Sequence, residues 1–223
     1  MGQLTSRQEI IHKEVGDPKM RNWLCANMAI REVSKHVARC VHIHIAEVHK
    51  SMRHALGDCG VCIKNCSSAG TERPWCTSCD RWRKEILSIC APHYRNQINW
   101  SRLHSSQWQI NPYEVARAFI PRAHRLYYKS ADFHEDFRFT LSFIENTREI
   151  PVPKGLREKL WQCRGRVKRK NLRMRMSDEE LQGTIGALTE FVSLPVFEDS
   201  ESLVAKINSL LNSHENDDGC SIM

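Results

Sequence analysis

The sequence predicts a mainly α-helical protein, in which a helical bundle is preceded by a small cysteine-rich zinc element. Apolar residues recur every three or four positions through most of the second half, which is the spacing of a buried helix face. Two Cys-x2-Cys pairs lie thirteen residues apart in the first half, in a stretch rich in glycine, cysteine and serine. No apolar run approaches the roughly 18 residues of a membrane-spanning helix. With 223 residues, the chain can form one large domain or two small ones.

The first half is predicted to contain a long helix, the zinc element and a linker helix. Residues 1–18 are polar, and the apolar spacing over residues 22–56 is helical, although "VHIHI" alternates like a strand. Residues 57–79 have little periodicity, and "DRWRKEILSIC" then gives a short amphipathic helix. Residues 91–111 are predicted as loop or short strand.

Prolines and a capping motif separate the remaining helices. Ser177 and Glu180 have the spacing of a capping box, in which each side chain bonds the backbone of the other residue. "ADFHEDFRFTLSFIENT" has a helical stripe of phenylalanine, leucine and isoleucine, and the last helix is predicted over residues 199–212. The helix-bounding prolines are Pro112 and Pro121 for the linker helix "PYEVARAFI", Pro153 before the next long helix, and Pro195 after the capped one.

The cysteines indicate a zinc site. The N-terminus has no apolar signal region, so we expect a reducing compartment, where ten cysteines favour metal ligands, lipid sites or buried thiols over disulfides. Zinc prefers four thiolates in a tetrahedron, and two Cys-x2-Cys turns supply them. An eight-ligand ubiquitin-ligase cross-brace is not convincingly present. The favoured structural zinc ligands are Cys59, Cys62, Cys76 and Cys79, with Cys66, Cys90 and His93 as alternates.

The net charge of +7 comes from one local patch, because the rest of the chain is formally neutral. Three interpretations stay open: the patch binds an anionic membrane surface, it binds nucleic acid, or it is a solvated helix end. A stacking platform for single-stranded nucleic acid is not indicated, because Trp161 is the one aromatic residue nearby. The patch residues are Arg164, Arg166, Lys168, Arg169, Lys170, Arg173 and Arg175.

Both ends of the chain carry lipidation patterns. Cys220 begins "CSIM", a C-a-a-X box whose final methionine favours farnesyl, and Gly2 in "MGQLTS" fits the pattern for N-myristoylation. One lipid chain gives only marginal membrane binding, so stable anchoring needs a second signal. The predicted regions are 1–18, a flexible lipidatable N-terminus; 19–125, a helix with the zinc element and linker helix; 126–213, the helical bundle; and 214–223, a flexible tail with the C-a-a-X box.

"CTSCDRWRKEIL" followed by "INWSRLHSSQWQINPYEVARAFIPRA" resembles a vertebrate family named after human chromosome X open reading frame 38. That family is similar to the HEPN-like domain at the start of the DAZ-interacting zinc-finger ubiquitin ligase. The resemblance runs from about Asn22 to about Asn212 and implies a HEPN-like helical bundle after the zinc element. Leu103 and His104 stand where family members tend to carry a cysteine.

The resemblance also bears on activity. Many HEPN domains are RNases with an R-x4–6-H motif, and here Arg164 matches the arginine while Arg169 occupies the histidine position. Arginine stays protonated near neutral pH and cannot act as a general base. We therefore expect a non-enzymatic, lipid-anchored adaptor or scaffold on the cytosolic face of a membrane, with a partner protein to be identified. The alternative is a HEPN-type RNA-binding or RNA-processing protein.

Overall fold

A computed structural model describes residues 16–60, 62–69, 74–121, 136–169 and 174–215. Within these ranges the chain is helical and forms no strand, which confirms the mainly α prediction. None of the described helices is both long and apolar enough to cross a membrane. The helices are α1, Pro18–Leu56; α2, Thr77–Ile89; α3, Pro112–Ala116; α4, Phe137–Asn146; α5, Lys154–Arg169; α6, Asp178–Val192; and α7, Glu201–Glu215.

Short 3₁₀ helices connect the elements of the first half. Residues 91–111, predicted as loop or strand, form three of them, and a fourth follows the first cysteines of the zinc segment. Segments this short carry no hydrophobic period, which is why the sequence does not reveal them. They are Cys66–Ala69, Pro92–Gln97, Trp100–Arg102, Ser105–Gln107 and, after α3, Arg117–Phe119.

The chain forms two compact units. Residues 1–37 and 152–223 make up the terminal unit, and residues 38–151 make up the central unit, so α1 contributes to both. The predicted boundary between residues 125 and 126 lies in 122–135, outside the described residues. Residues 131–135, at the start of "ADFHEDFRFTLSFIENT", lie there too, and the helix in this stretch begins at Phe137.

The terminal unit joins the start of α1 to α5, α6 and α7. Trp23 Nε1 donates a hydrogen bond to the Val167 carbonyl at 3.1 Å, and Asn22 Nδ2 donates to the Met176 carbonyl at 3.2 Å. The predicted capping box is present: Ser177 Oγ accepts from the Glu180 amide, and Glu180 Oε2 accepts from the Ser177 amide. The apolar stripes predicted for these helices are buried at Leu156, Leu160, Val167, Leu181, Ile185, Leu188, Val192, Leu203, Ile207 and Leu210.

The central unit packs the second half of α1 with α2, α3, α4 and the 3₁₀ helices. The ends of α2 and α4 are joined by an isolated bridge between Cys90 and Thr147. The Ala91 amide donates to the Asn146 carbonyl at 2.9 Å beside this bridge. Asn146 Nδ2 in turn donates to the Phe119 carbonyl at 2.8 Å, which ties the linker helix to the same point. These contacts fix α2, whose first turn carries two of the zinc-segment cysteines.

Candidate metal centre

Four cysteine sulfurs converge in the central unit. The Sγ atoms of Cys62, Cys66, Cys76 and Cys79 all lie within 4.8 Å of one another, and those of Cys62 and Cys66 are 3.5 Å apart. Zinc–sulfur bonds of about 2.3 Å in a tetrahedron put the sulfurs about 3.8 Å apart. All cysteines in the described ranges are free thiols rather than disulfides. The four side chains can therefore hold one metal ion.

The first two sulfurs are delivered by tight turns after α1. Gly57 has φ +59° where the helix ends, and Gly60 has φ +71° just before Cys62. These left-handed conformations strongly favour glycine, and they let the chain reverse within a few residues. Asn65 is also left-handed, with φ +48°, and its turn places Cys66 at the start of a 3₁₀ helix. Asparagine tolerates this conformation better than most residues.

The last two sulfurs come from the N-terminus of α2. Cys76 is the N-cap residue and makes no side-chain capping bond, which leaves its sulfur free to point at the other thiols. Cys79 follows in the first turn and is buried. The unpaired amides and the partial positive charge of a helix N-terminus stabilise thiolates there. The N-terminal end of α2 thus supplies two sulfur atoms and a partial positive charge that stabilises them as thiolates.

A pair of serines fastens the Cys66 turn to the rest of the unit. The Ser67 amide donates to Ser105 Oγ at 3.0 Å, and the Ser105 amide donates to Ser67 Oγ at 2.9 Å. Ser67 Oγ also donates to the Leu103 carbonyl at 2.6 Å. Both serines are buried, so the reciprocal bonds are shielded from water. We call Ser67 and Ser105 the serine clasp.

The thiols differ in acidity. Burial tends to raise the pKa of Cys62, but hydrogen bonds with the backbone of Cys66 and Lys64 and with neighbouring thiols lower it to about 7. Burial raises the pKa of Cys79 strongly, against a hydrogen bond from the Ser105 hydroxyl that lowers it. The backbone of Cys76 lowers the pKa of Cys66, but burial and the adjacent thiols raise it overall. A metal ion that binds here must therefore displace the protons of Cys66 and Cys79.

The structure groups three of the favoured ligands with one alternate. Cys66 stands beside Cys62, Cys76 and Cys79, whereas Cys59 lies outside this group of four. Cys59 instead lines an open cleft of about 450 Å³ with Lys50 and Trp82, among others, and its carbonyl accepts a hydrogen bond from Ser78 Oγ. The spacing Cys62-x3-Cys66 falls within the usual two to four residues between paired zinc ligands, so the sequence contained a signal for Cys66 as a metal ligand.

The other two alternates lie outside the sulfur cluster. Cys90 is fully buried at the bridge to Thr147, where burial raises its pKa. His93 is exposed in a 3₁₀ helix, and its carbonyl accepts from Gln97 Nε2 at 2.9 Å. Neither belongs to the described group of four.

Three tryptophans pack against one another next to the cysteine cluster, and the sequence alone did not predict this packing. The ring centroid of Trp75 lies 5.5 Å from that of Trp100 and 5.7 Å from that of Trp108, and the guanidinium of Arg83 lies 5.2 Å from the Trp75 centroid. Since Trp75 directly precedes Cys76, the aromatic cluster and the sulfur cluster share one chain segment. The tryptophans were visible in the sequence, but the contact between them depends on the fold.

The predicted basic patch is only partly within the described residues. On α5, Arg164 lies 5.8 Å over the Trp161 ring, Arg166 is half-buried and Lys168 is exposed. Arg175 Nε pairs with Asp17 Oδ2 at 3.0 Å, although its side chain stays 65% exposed. Arg169 is the last residue of α5. Outside the described residues lie Lys170, Arg173, Gly2 and Cys220.

The fold and the site define a helical protein in which four clustered cysteines can hold one metal ion. Residues 15–220 match a family described as a domain of unknown function, DUF4559, so the chain belongs to this family over nearly its whole length. A search of curated proteins and a search of solved structures return no match.

Proposed function

We propose that this protein is a non-enzymatic adaptor in which a structural zinc ion shapes a docking surface on a helical, HEPN-like scaffold. The observation that carries the proposal is the convergence of four sulfurs, on Cys62, Cys66, Cys76 and Cys79. Four protein thiolates fill the coordination of zinc and leave no position for water or substrate. A centre of this kind supports folding rather than catalysis.

The surroundings of the centre favour the same role. Ser105 and Trp100 belong to two separate 3₁₀ helices, and they contact Ser67, next to Cys66, and Trp75, next to Cys76. A metal ion at their junction would stabilise contacts between segments that are short and poorly periodic. A metal centre that fixes these segments would also fix the surface that they form, and an adaptor binds its partner through such a surface.

Metal analysis of the purified full chain tests the zinc centre. We expect one zinc per chain, retained through gel filtration and lost with a strong chelator together with the folded signal of the central unit. Two zinc ions per chain would support a ubiquitin-ligase cross-brace instead, and no bound metal would contradict the proposal.

The membrane part of the proposal rests on the patterns at Gly2 and Cys220. Two lipids, or one lipid with the basic residues near the end of α5, would give stable anchoring to the cytosolic face of a membrane. Intact mass spectrometry of protein from mammalian cells reports farnesyl, loss of the last three residues and myristoyl together. Cys220→Ser should remove the prenyl group, whereas Met223→Leu should replace farnesyl by geranylgeranyl. Two unmodified ends would contradict membrane anchoring.

An RNA-directed function is the second candidate. The observation that favours it is that α5 carries Arg164, Arg166 and Lys168 within five residues, and such cations can contact the phosphates of RNA. Arg169 in place of histidine argues against cleavage. If the purified protein cuts RNA and Arg164→Ala abolishes the cutting, the adaptor proposal is wrong.

A further inference from the structure

We infer that the groove between α2 and the 3₁₀ helices that follow it binds an acidic peptide segment of a partner protein, with one apolar side chain flanked by carboxylates. The inference rests on the proposed adaptor role. The groove is open, has a volume of about 610 Å³ and lies entirely in the central unit. We call it the arginine groove; Arg83, Leu87, Ser88, Arg95, Asn96, Ile98 and Trp100 line it.

The charge of the groove calls for an anionic occupant. Arg83 and Arg95 both line it, and no aspartate or glutamate is among the lining residues. Within the part of the chain that the structure describes, neither arginine forms a salt bridge, and the buried Arg83 Nε has no hydrogen-bond partner. Guanidinium groups bind carboxylates through two parallel hydrogen bonds, so a groove lined by two arginines and no acid matches a ligand that carries carboxylates.

The lining between the arginines can accept an apolar side chain. Ile98 and Trp100 are buried beneath the groove, and Leu87 is half-buried on the α2 side. Ser88 and Asn96 are exposed at the rim and can bond the main chain of an extended peptide. An apolar floor with a polar, charged rim is the usual arrangement of a protein-recognition site.

The aromatic geometry favours a peptide over a nucleic acid. Single-stranded nucleic acid is held by bases stacked on open aromatic faces. Trp100 is only 8% exposed. The Arg83 guanidinium lies 5.5 Å over its ring, and Trp75 and Trp108 contact it at near-perpendicular angles of 83° and 73°. The faces of the Trp100 ring are therefore covered by other side chains of the protein and are not open to a base.

The metal centre fixes one wall of the groove. Trp75 lies directly before Cys76 and contacts both Arg83 and Trp100. A bound ion would hold Cys76, and through Trp75 it would hold the Arg83 side chain in place. The groove is therefore formed in advance, which lowers the entropic cost of binding a peptide.

The test uses the zinc-loaded full chain and a peptide array whose parent members each have an acid–apolar–acid core. Matched members replace the acids by lysine or the apolar residue by serine, and affinities of the best members are measured by fluorescence polarisation. Arg95→Glu should weaken binding at least about tenfold and should favour the lysine-substituted members. Arg102→Glu is the control, since Arg102 is an exposed arginine in the neighbouring 3₁₀ helix that does not line the groove.

Three results would overturn the inference. The first is that no acidic peptide binds. The second is that Arg95→Glu and Arg102→Glu weaken peptide binding equally, because the effect would then be general electrostatics. A single-stranded RNA oligonucleotide that binds better than the peptides and loses affinity in Arg95→Glu would assign the groove to nucleic acid. Zinc content and thermal midpoint, measured on the same samples, separate failure of the groove from failure of the adaptor's metal centre.

Discussion

Cys59 and Cys66 lie seven residues apart, yet the fold gives them different surroundings. The Cys66 sulfur is 3.5 Å from that of Cys62, whereas Cys59 faces an open cleft. We expect Cys66→Ser to weaken zinc binding more than about 100-fold, since loss of a ligand should cost more than the 10–100-fold typical of an outer-shell partner. Cys59→Ser should change the affinity little.

A competition titration against a chromophoric zinc chelator measures both affinities. The matched pair makes the result decisive, because each variant removes one sulfur and keeps a small polar side chain. A larger loss in Cys59→Ser would favour the four ligands that the two Cys-x2-Cys pairs predict, and equal losses would contradict the preference for Cys66 over Cys59.

His49 is a buried histidine of the central unit, and we expect it to make the stability of the protein depend on pH. Its ring stacks on Trp82 at 5.5 Å, and its Nε2–H donates to the Trp108 carbonyl at 2.6 Å. Burial lowers the pKa of His49, the hydrogen bond to Trp108 partly raises it, and the nearby charge of Arg53 lowers it further. The unfolded chain, with an ordinary histidine pKa of about 6.5, therefore binds a proton more readily than the folded one.

Because the folded pKa is depressed, this histidine's contribution is fully present above pH of about 6.5 and is lost as the pH falls toward the folded pKa. We expect the free energy of unfolding of the wild type to fall more steeply from pH 7 to pH 5 than that of His49→Gln. Urea unfolding of both proteins at each pH measures this difference. If the free energies of unfolding of the wild type and of His49→Gln change equally with pH, His49 does not take up a proton on unfolding.

At the scale of elements, the start of α6 is set by local chemistry. The Ser177 hydroxyl and the Glu180 carboxylate each satisfy a backbone amide that the helix leaves unpaired. Ser177→Ala should lower the free energy of unfolding by about 1 kcal/mol. Ser193→Ala, at the exposed C-cap of the same helix, is the control and should change it little. Urea unfolding that ranks the two variants equally would contradict the role of the cap.

Caps and prolines made α6 and its neighbours predictable, because these signals act within one or two turns. The stretch "VHIHI" shows where a local pattern is ambiguous. Val41 and Ile45 are buried four residues apart on one face of α1, while Ile43 between them is 59% exposed. The strand-like alternation is thus a helical spacing with one apolar residue on the solvent side.

The segment that carries the cysteine cluster was predictable, but the four cysteines that the structure brings together were not. Two Cys-x2-Cys pairs identify the segment, yet Cys59 and Cys66 both have plausible spacing from Cys62. Left-handed turns at Gly60 and Asn65 and the clasp of Ser67 with Ser105, 38 residues away, accompany the position of Cys66 beside Cys62. Spacing rules contain no information about such a distant contact.

At the scale of the whole molecule, the two units interleave along the chain. The terminal unit joins residues 1–37 to residues 152–223, and the bond from Trp23 to Val167 spans 144 positions. A boundary search along the sequence looks for continuous domains and does not find such a unit. The apolar stripes show which faces are buried, but they do not show which distant helix covers them.

The division into units predicts where removal of zinc will act. All four sulfurs belong to the central unit, and the serine clasp joins the turn at Cys66 to the 3₁₀ helix Ser105–Gln107 of the same unit. An ion that binds only the folded state stabilises that state, so its removal should loosen the segments it joins. In hydrogen-exchange mass spectrometry of the full chain, a chelator should speed exchange over residues 62–69, the first turn of α2 and Ser105–Gln107.

Exchange in α6, whose start is fixed by its own capping box, should stay unchanged under the same treatment. Cys66→Ser without chelator should reproduce the pattern, which separates loss of the ion from side effects of the reagent. Faster exchange across α6 and α7 as well would mean that the ion stabilises the whole molecule. Unchanged exchange around Cys66 would mean that the turns hold without metal, and the structural role proposed for zinc would then be wrong.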